Sequence, residues 1–166
     1  MDDLNQLAEQ VGAALKSRGL MLATAESCTG GWAGEVVTSV PGSSHWYERG
    51  FITYTNESKQ EMLGVSAQTL AEFGAVSEQT VREMAAGALK HSRAHITLAI
   101  SGIAGPGGAT PDKPVGTVCM AWATRNGAGL SQTIHFQGDR TAVRRQAVVA
   151  ALQGVLRMIE GESVTA

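Results

Sequence analysis

The chain has 166 residues, a net charge of −2 at neutral pH and an isoelectric point near 6.1. This length suits one domain with its own core, and the near-neutral charge gives no electrostatic reason to expect a nucleic-acid-binding protein. No apolar run approaches the roughly 20 residues that a transmembrane helix needs, so no membrane partner is expected, and the acidic start MDDLNQLAEQ is unlike a signal peptide. The cysteines, Cys28 and Cys119, are too few for a disulfide framework and lack metal-site spacing, which favours a reducing, cytoplasmic setting.

The predicted elements begin with a helix and a strand. Apolar residues recur at helical spacing over 4–15, and Gly19 ends this helix. Residues 20–25 form a short, nearly continuous apolar run, which predicts a buried strand. The segment after Gly31 predicts a second helix that stops before Pro41.

The middle of the chain predicts two strands with three helices between them. Aromatic and β-branched residues alternate in RGFITYT, residues 49–55, as they do in a strand. Asn56 and Ser66 are expected to cap two short helices, and Ser77 opens a longer one. HITLAIS, residues 95–101, is the third predicted strand.

The last third of the chain predicts a hairpin and a final helix. Strands over 115–124 and 129–136 are joined through Asn126-Gly127, a dipeptide typical of β-hairpins, so these strands should be antiparallel. Asp139 can cap the last helix, and the tail 161–166 is expected to fray.

The element order α-β-α-β-α-α-α-β-β-β-α defines the fold class. Early strands that alternate with helices imply parallel crossovers, whereas the late hairpin requires an antiparallel member. We therefore predict an α/β fold, with a mixed sheet between helices on both faces, in a single domain over residues 1–166.

The first candidate site is AESCTGGWA, residues 25–33, where a strand passes into a helix. Gly30 and Gly31 let backbone amides approach a ligand, and a helix start favours an anion. Ser27 and Thr29 add hydroxyl groups. The segment matches neither nucleotide-binding fingerprint, so a tight turn capped by Thr29 stays an alternative.

The second candidate lies within residues 41–59, which contain Ser44, Tyr54 and Lys59. A serine hydroxyl becomes a good nucleophile when a base takes its proton, and a desolvated lysine is such a base. A tyrosine can relay or stabilise the proton. Spacing alone does not bring the three together, so a turn cap, a packed ring and a solvated amine remain the alternative.

Two further loops and one cysteine complete the candidates. SGIAGPGG, residues 101–108, follows a strand, and its glycines can present amides to a phosphate or an oxyanion. Arg140 falls in the first turn of the last helix, where a bound anion would explain a cation, whereas Arg144 and Arg145 suit a solvated face. Cys28 is a rival nucleophile if the helix start lowers its pKa, and a small buried apolar residue otherwise.

Six motifs, in this order along the chain, resemble the C-terminal domain family of the competence/damage-inducible protein CinA. The motifs are AESCTGG, GSSHWYERGFITYTNESK, GAVSEQTV, SGIAGPGG, KPVGTV and FQGDRTAVRRQ. The resemblance covers roughly residues 5–160. It implies a three-layer α/β/α sandwich with a five-stranded mixed sheet, in which one strand is antiparallel.

The resemblance also implies an activity, namely hydrolysis of the carboxamide of nicotinamide mononucleotide to nicotinate mononucleotide and ammonia, which returns a pyridine nucleotide to NAD synthesis. It implies no metal or other cofactor, a small-molecule nucleotide as the partner, and a homo-oligomer, with a dimer as the expected state. The family's serine nucleophile, lysine and tyrosine fall on Ser44, Lys59 and Tyr54.

Substrate binding is assigned by the same resemblance to the glycine-containing loops and the G-D-R segment. These residues are Ser27, Thr29, Gly30, Gly31, Ser101, Gly102, Gly105 and Arg140. The sequence leaves open which loop binds phosphate and which forms the oxyanion hole. The competing function is a regulatory module, linked to competence or DNA damage, that binds a nucleotide without turnover.

Overall fold

The computed structural model describes residues 3–161. Its strands are β1 (Leu22–Glu26), β2 (Tyr47–Ile52), β3 (Ile96–Gly102), β4 (Thr117–Thr124) and β5 (Gly129–His135). Its α-helices are α1 (Asp3–Ser17), α2 (Trp32–Thr38), α3 (Asn56–Leu63), α4 (Ala67–Phe73), α5 (Glu78–Lys90) and α6 (Arg140–Gly161). A 3₁₀ turn, Ser43–His45, precedes β2. The predicted element order is confirmed. Of the tail predicted to fray, Gly161 is the last residue of α6, and residues 162–166 lie outside the described residues.

The five strands form one mixed sheet in the order β2-β1-β3-β4-β5. β1 pairs in parallel with both β2 and β3, whereas β4 runs antiparallel to both β3 and β5. At the predicted hairpin the Gly127 amide donates to the Thr124 carbonyl (3.0 Å), and Gly127 adopts a φ of +92° that favours glycine. The mixed sheet with one antiparallel strand is therefore confirmed.

Helices cover both faces of the sheet, and the strand alternation decides which side chains meet which helices. Leu22 on β1 and Leu98 on β3 belong to the core under α1, α2 and α6. Ala25 and Ala99 point the other way, into a core with Met84 of α5. Because successive side chains alternate between faces, a residue two positions beyond Ala25 or Ala99 continues on the α3–α5 side.

Helix caps account for most of the predicted starts. Ser66 and Ser77 accept hydrogen bonds from amides in the first turns of α4 and α5, and Asp139 accepts one from the Ala142 amide, as predicted. The Asn56 cap is wrong by one residue, because Thr55 caps α3 in a reciprocal pair with Ser58. No helix among residues 3–161 combines the length and apolar character that crossing a membrane requires.

The close approach of α5 to the end of α3 depends on Gly87. A Cβ atom at Gly87 would lie 1.9 Å from the carbonyl oxygen of Leu63. We expect Gly87→Ala to lower the free energy of unfolding by about 1–3 kcal/mol, although alanine is the better helix former. Thermal melting measures this, with Gly161→Ala as the control, since a Cβ at that helical glycine meets nothing within 4 Å. A Gly87→Ala chain that melts at or above the unsubstituted temperature would contradict the contact.

Candidate active site

Ser27 and Lys59 form the centre of the site. Ser27 follows β1 directly, and its side chain lies on the α3–α5 side because it is two residues beyond Ala25. Lys59 lies in α3, and its Nζ is 3.0 Å from the Ser27 Oγ. A serine hydroxyl in contact with an amine is the arrangement that a serine nucleophile and its base require.

Lys59 is buried, and no carboxylate among residues 3–161 forms an ion pair with it. Its side chain is 1% exposed, and its Nζ also donates to the Thr53 carbonyl at 2.8 Å. Desolvation by burial lowers the pKa of Lys59 below its ordinary value of 10.5. Because an ammonium group is strongly hydrated in water, burial favours the neutral amine, which is the form that can accept a proton.

Tyr54 and Arg140 meet at the rim. The Arg140 Nη2 donates to the Tyr54 Oη at 3.1 Å, and its Nη1 donates to the Gly105 carbonyl at 2.7 Å. These bonds connect the segment after β2, the loop after β3 and the start of α6. The guanidinium has five N–H donors, so further donors remain for an anion. Tyr54 is 60% exposed and makes no hydrogen bond to Lys59 within the described chain.

These residues line one cavity of about 280 Å³ at the carboxyl ends of β1 and β3. Its other walls are Asn56 at the start of α3, residues 75–76 and the loop that follows Ser101. Its basic side chains are Arg140, which is positively charged, and Lys59, whose neutral form is favoured by burial, and no acidic side chain is among the described residues that line it. The cavity is therefore suited to an anionic ligand of small size.

The loop after β3 lines this cavity and contains backbone amides without a partner among the described residues. Ser101 is 1% exposed and lies two residues beyond Ala99, hence on the same side of the sheet as Ser27. The amides of Ala104 and Gly105 make no hydrogen bond to another described residue. Gly102 is needed here, because a Cβ would lie 2.7 Å from the Val118 side chain. Unpaired backbone amides in a loop that lines the same cavity as a serine and its base are candidates for an oxyanion hole.

Ser44 is not brought to Lys59. It is exposed, and it lies in the 3₁₀ turn before β2, at the amino end of that strand, whereas Lys59 lies beyond the carboxyl end. The six residues of β2 advance about 3.3 Å each, which places the two groups roughly 20 Å apart. The structure thus pairs Lys59 with Ser27 instead of Ser44.

The three residues after Cys28 do not face the cavity either. The Thr29 hydroxyl donates to the Glu26 carboxylate at 2.6 Å, and the Gly31 amide donates to it at 3.2 Å. Thr29, Gly30 and Gly31 line a separate surface depression with Trp32. The predicted use of the α2 start for a substrate anion is therefore not supported, because the Glu26 carboxylate occupies those donors. Thr29 does not cap the helix either.

The structure also bears on the alternatives that the sequence left open for Cys28 and Arg144. Burial raises the pKa of Cys28 to about 11, so its thiol is almost entirely protonated at neutral pH and is a poor nucleophile. Arg144 is not on a solvated face, because it donates to the carbonyls of Cys28 and Thr29.

Among residues 3–161, no three His, Cys, Asp or Glu side chains are grouped closely enough to hold a metal ion.

Sequence reasoning missed two groups of the cavity and the role of a third. Asn56 was expected only as a cap, and the 75–76 wall carried no polar signal. Ser27 was expected to bind substrate, yet it holds the position of a nucleophile. One signal did favour Ser27 over Ser44, because ligands of open α/β sheets bind beyond the carboxyl ends of parallel strands, and Ser27 follows its strand whereas Ser44 precedes one.

Comparison with known proteins places the chain in a family. A relative from Escherichia coli (strain K12), named nicotinamide-nucleotide amidohydrolase PncC, is 59% identical over 151 residues, covering 91% of this chain and 92% of the relative. A protein of the same name from Pseudomonas putida is 46% identical over 158 residues, covering 95% and 98%. The crystal structure of competence/damage inducible protein CihA from Agrobacterium tumefaciens has a TM-score of 0.93 at 45% identity, covering 95% of this chain and 96% of that chain. Since the CinA C-terminal domain profile also matches residues 4–159, the chain belongs to the CinA C-terminal domain family.

Proposed function

We propose that the chain is a nicotinamide-nucleotide amidohydrolase, which converts nicotinamide mononucleotide and water to nicotinate mononucleotide and ammonia. The observation that carries the proposal is the 3.0 Å contact between Lys59 Nζ and Ser27 Oγ in a cavity that Arg140 also lines. Serine–lysine pairs are a recurring variant of the nucleophile–base arrangement for acyl transfer. The activity named for the relatives, which are 46% and 59% identical, is of this chemical type.

In the first half-reaction Ser27 is the nucleophile and Lys59 is the base. The neutral Lys59 amine takes the Ser27 proton while Oγ bonds to the carboxamide carbon, giving a tetrahedral oxyanion. Lys59 then returns the proton to the amide nitrogen, the C–N bond breaks, and ammonia leaves. The product of this step is a nicotinoyl ester on Ser27.

The second half-reaction restores the enzyme with water. Lys59 takes a proton from water, whose oxygen attacks the ester carbon, and the proton passes to Ser27 Oγ as the ester bond breaks. The sum consumes one water and one amide and yields one carboxylic acid and one ammonia. No metal ion or other cofactor is needed for either step.

The remaining cavity residues bind the substrate and its developing charge. The free amides of Ala104 and Gly105 can donate to the oxyanion in the transition state. Arg140 at the rim suits the phosphate, because its planar guanidinium binds phosphate oxygens in pairs, and Tyr54 fixes its orientation. We assign the loop after β3 to the oxyanion hole and Arg140 to the phosphate.

The proposal is tested by incubating the pure chain with nicotinamide mononucleotide in a buffer depleted of metals by chelation. We expect stoichiometric ammonia and nicotinate mononucleotide. Tight binding of the mononucleotide with no ammonia release would instead favour the regulatory module. Loss of activity on chelation, with recovery on adding one metal, would contradict the serine mechanism.

Arg140→Ala is expected to weaken the binding of substrates that carry a phosphate. The loss of a charge-assisted hydrogen bond costs about 1.5–3 kcal/mol, which corresponds to an increase in KM of roughly 10–160-fold. Steady-state kinetics with the mononucleotide should show this increase, whereas the KM for nicotinamide riboside, which lacks the phosphate, should change little. An equal rise in KM for both substrates would show that Arg140 does not bind the phosphate.

Assembly and location stay proposals that rest on the family and on composition. We propose a homo-oligomer, with a dimer as the first state to test by light scattering. Cys28 and Cys119 are both free and buried, which fits the reducing conditions of the cytoplasm.

A further inference from the structure

The turn that carries Ser27 is held at its amide groups by the carboxylate of Glu26. This side chain is 1% exposed and lies on the α2 side of the sheet, opposite to the Ser27 hydroxyl. Besides the bonds from Thr29 and Gly31, it accepts hydrogen bonds from the amides of Ala33 (2.9 Å) and Gly34 (3.0 Å). One buried carboxylate thus satisfies the amide donors that the start of α2 leaves without an intrahelical partner.

The same turn is held at two of its carbonyl groups by Arg144 of α6. Its Nε donates to the Cys28 carbonyl at 3.0 Å, and its Nη2 donates to the Thr29 carbonyl at 3.1 Å. The guanidinium carbon lies 5.5 Å from the centre of the Trp32 ring. This stacking leaves the guanidinium plane little freedom, so the two carbonyls are held at fixed positions.

The backbone of the turn has two hydrogen bonds of its own and two glycines in the left-handed region. Gly30 and Gly31 have φ values of +61° and +104°, a conformation in which glycine is otherwise free to move. Within the turn, the Gly30 amide donates to the Ser27 carbonyl and the Trp32 amide to the Thr29 carbonyl, both at 3.0 Å, and the Ser27 amide donates to the Ile100 carbonyl of β3 at 3.0 Å. Glu26 binds further amides of the turn and Arg144 binds two of its carbonyls, so together they add contacts to both kinds of backbone group.

We propose that Glu26 and Arg144 are positioning residues that clamp the 26–34 turn and thereby hold the Ser27 hydroxyl against Lys59. The inference rests on the proposed role of Ser27. Neither residue lines the cavity, so neither touches substrate. Loss of either contact should displace the nucleophile without changing how the substrate binds.

Two variants test the clamp. Glu26→Gln keeps the size of the side chain but turns its NH₂ group towards amide donors, which leaves at least one of them unpaired. Arg144→Met keeps the apolar stem and removes the guanidinium. Since a displacement of about 1 Å can cost roughly 100-fold, we expect kcat to fall about 10–100-fold in each variant while KM changes less than about twofold.

The chain offers a matched control for each variant. Glu83 accepts hydrogen bonds from the Ser66 amide and the Thr69 hydroxyl, a comparable capping role, at α4. Arg157 also lies in α6 and stacks on a tryptophan, 5.4 Å from the Trp122 ring centre. Neither residue has a hydrogen bond or stacking contact with the 26–34 turn among the described residues, so Glu83→Gln and Arg157→Met should keep kcat.

The second readout needs no mononucleotide. A small fluorophosphonate reacts with an activated serine, and mass spectrometry locates the label on Ser27. The clamp predicts a labelling rate that falls with kcat in the two variants and not in the controls. If the unsubstituted chain is labelled but releases no ammonia, the proposed substrate is wrong and the labelling rates of the variants still test the clamp. If the unsubstituted chain is neither labelled nor active, both proposals are wrong.

Three results would overturn the clamp. One is a kcat for Glu26→Gln and Arg144→Met within about twofold of the unsubstituted chain, well short of the expected displacement effect. Another is a fall no larger than that of the controls. The third is a rise in KM that matches the fall in kcat, which would mean that the cavity as a whole has changed. Should Glu26→Gln fail to fold, Arg144→Met decides by the same criteria.

Discussion

Replacement of Ser27 by alanine is expected to abolish deamidation. The Ser27 Oγ is the hydroxyl that contacts Lys59 Nζ, at 3.0 Å, and no other hydroxyl donates to or accepts from Lys59 within the described chain. Loss of a serine nucleophile in hydrolases lowers kcat by several orders of magnitude, so we expect a fall on the order of 10⁴-fold or more. Ammonia release measures kcat, and calorimetric titration should show that the mononucleotide still binds.

Ser44→Ala is the decisive control for that result. Ser44 is exposed and lies at the opposite end of β2, so its loss should leave kcat within about twofold, as for other surface substitutions. A Ser44→Ala chain that is inactive, together with an active Ser27→Ala chain, would reverse the assignment. Measuring both variants in one assay therefore decides between the two serines directly.

The fold was largely predictable because its signals are local. Apolar runs indicated β1 and β3, the Asn126-Gly127 dipeptide indicated the hairpin, and serine or aspartate caps indicated three of the helix starts. Where boundaries differ, pairing is the reason. β2 begins at Tyr47 and ends at Ile52 because these residues pair with Leu22 and Glu26 of β1, and beyond that point Thr55 begins the cap of α3.

The site was only partly predictable because its contacts join distant segments. Lys59 was identified as a base, but its partner depends on which face of β1 the α3 helix covers, and the sequence of neither element contains that information. No role was predicted for Glu26, which precedes Ser27 and the two glycines. Its burial under α2 follows from strand alternation, which is readable only once the end of β1 is known.

The second large effect is expected at Lys59. General-base catalysis contributes about 10²–10⁴-fold, so both Lys59→Met and Lys59→Arg should lose activity by at least this factor. Arginine keeps the positive charge but stays protonated, so it cannot accept the Ser27 proton. If Lys59 only attracted the substrate phosphate, the arginine chain would turn over almost normally with an altered KM, and the base assignment would be wrong.

The pH dependence of kcat gives an independent measure of the same amine. The neutral fraction of Lys59 rises with pH through its pKa, and burial moves that pKa below 10.5. Activity should therefore rise along a single limb whose midpoint lies below the ordinary lysine value. Solvent-exposed lysines titrate near about 10.4, so a midpoint there would mean that burial does not perturb Lys59.

The stability of the chain should change with pH in the same interval. Between the lowered pKa of folded Lys59 and the ordinary value of 10.5, the unfolded chain binds a proton that the folded chain does not. The free energy of unfolding therefore rises with pH across that interval, by at most about 1.4 kcal/mol per pH unit, and is unaffected by this group below and above it. Lys59→Met lacks the group, so denaturant unfolding of both chains from pH 6 to 10 isolates the contribution. We expect the unsubstituted chain to gain stability relative to Lys59→Met as the pH rises, and a constant difference would show that Lys59 remains charged in the folded state.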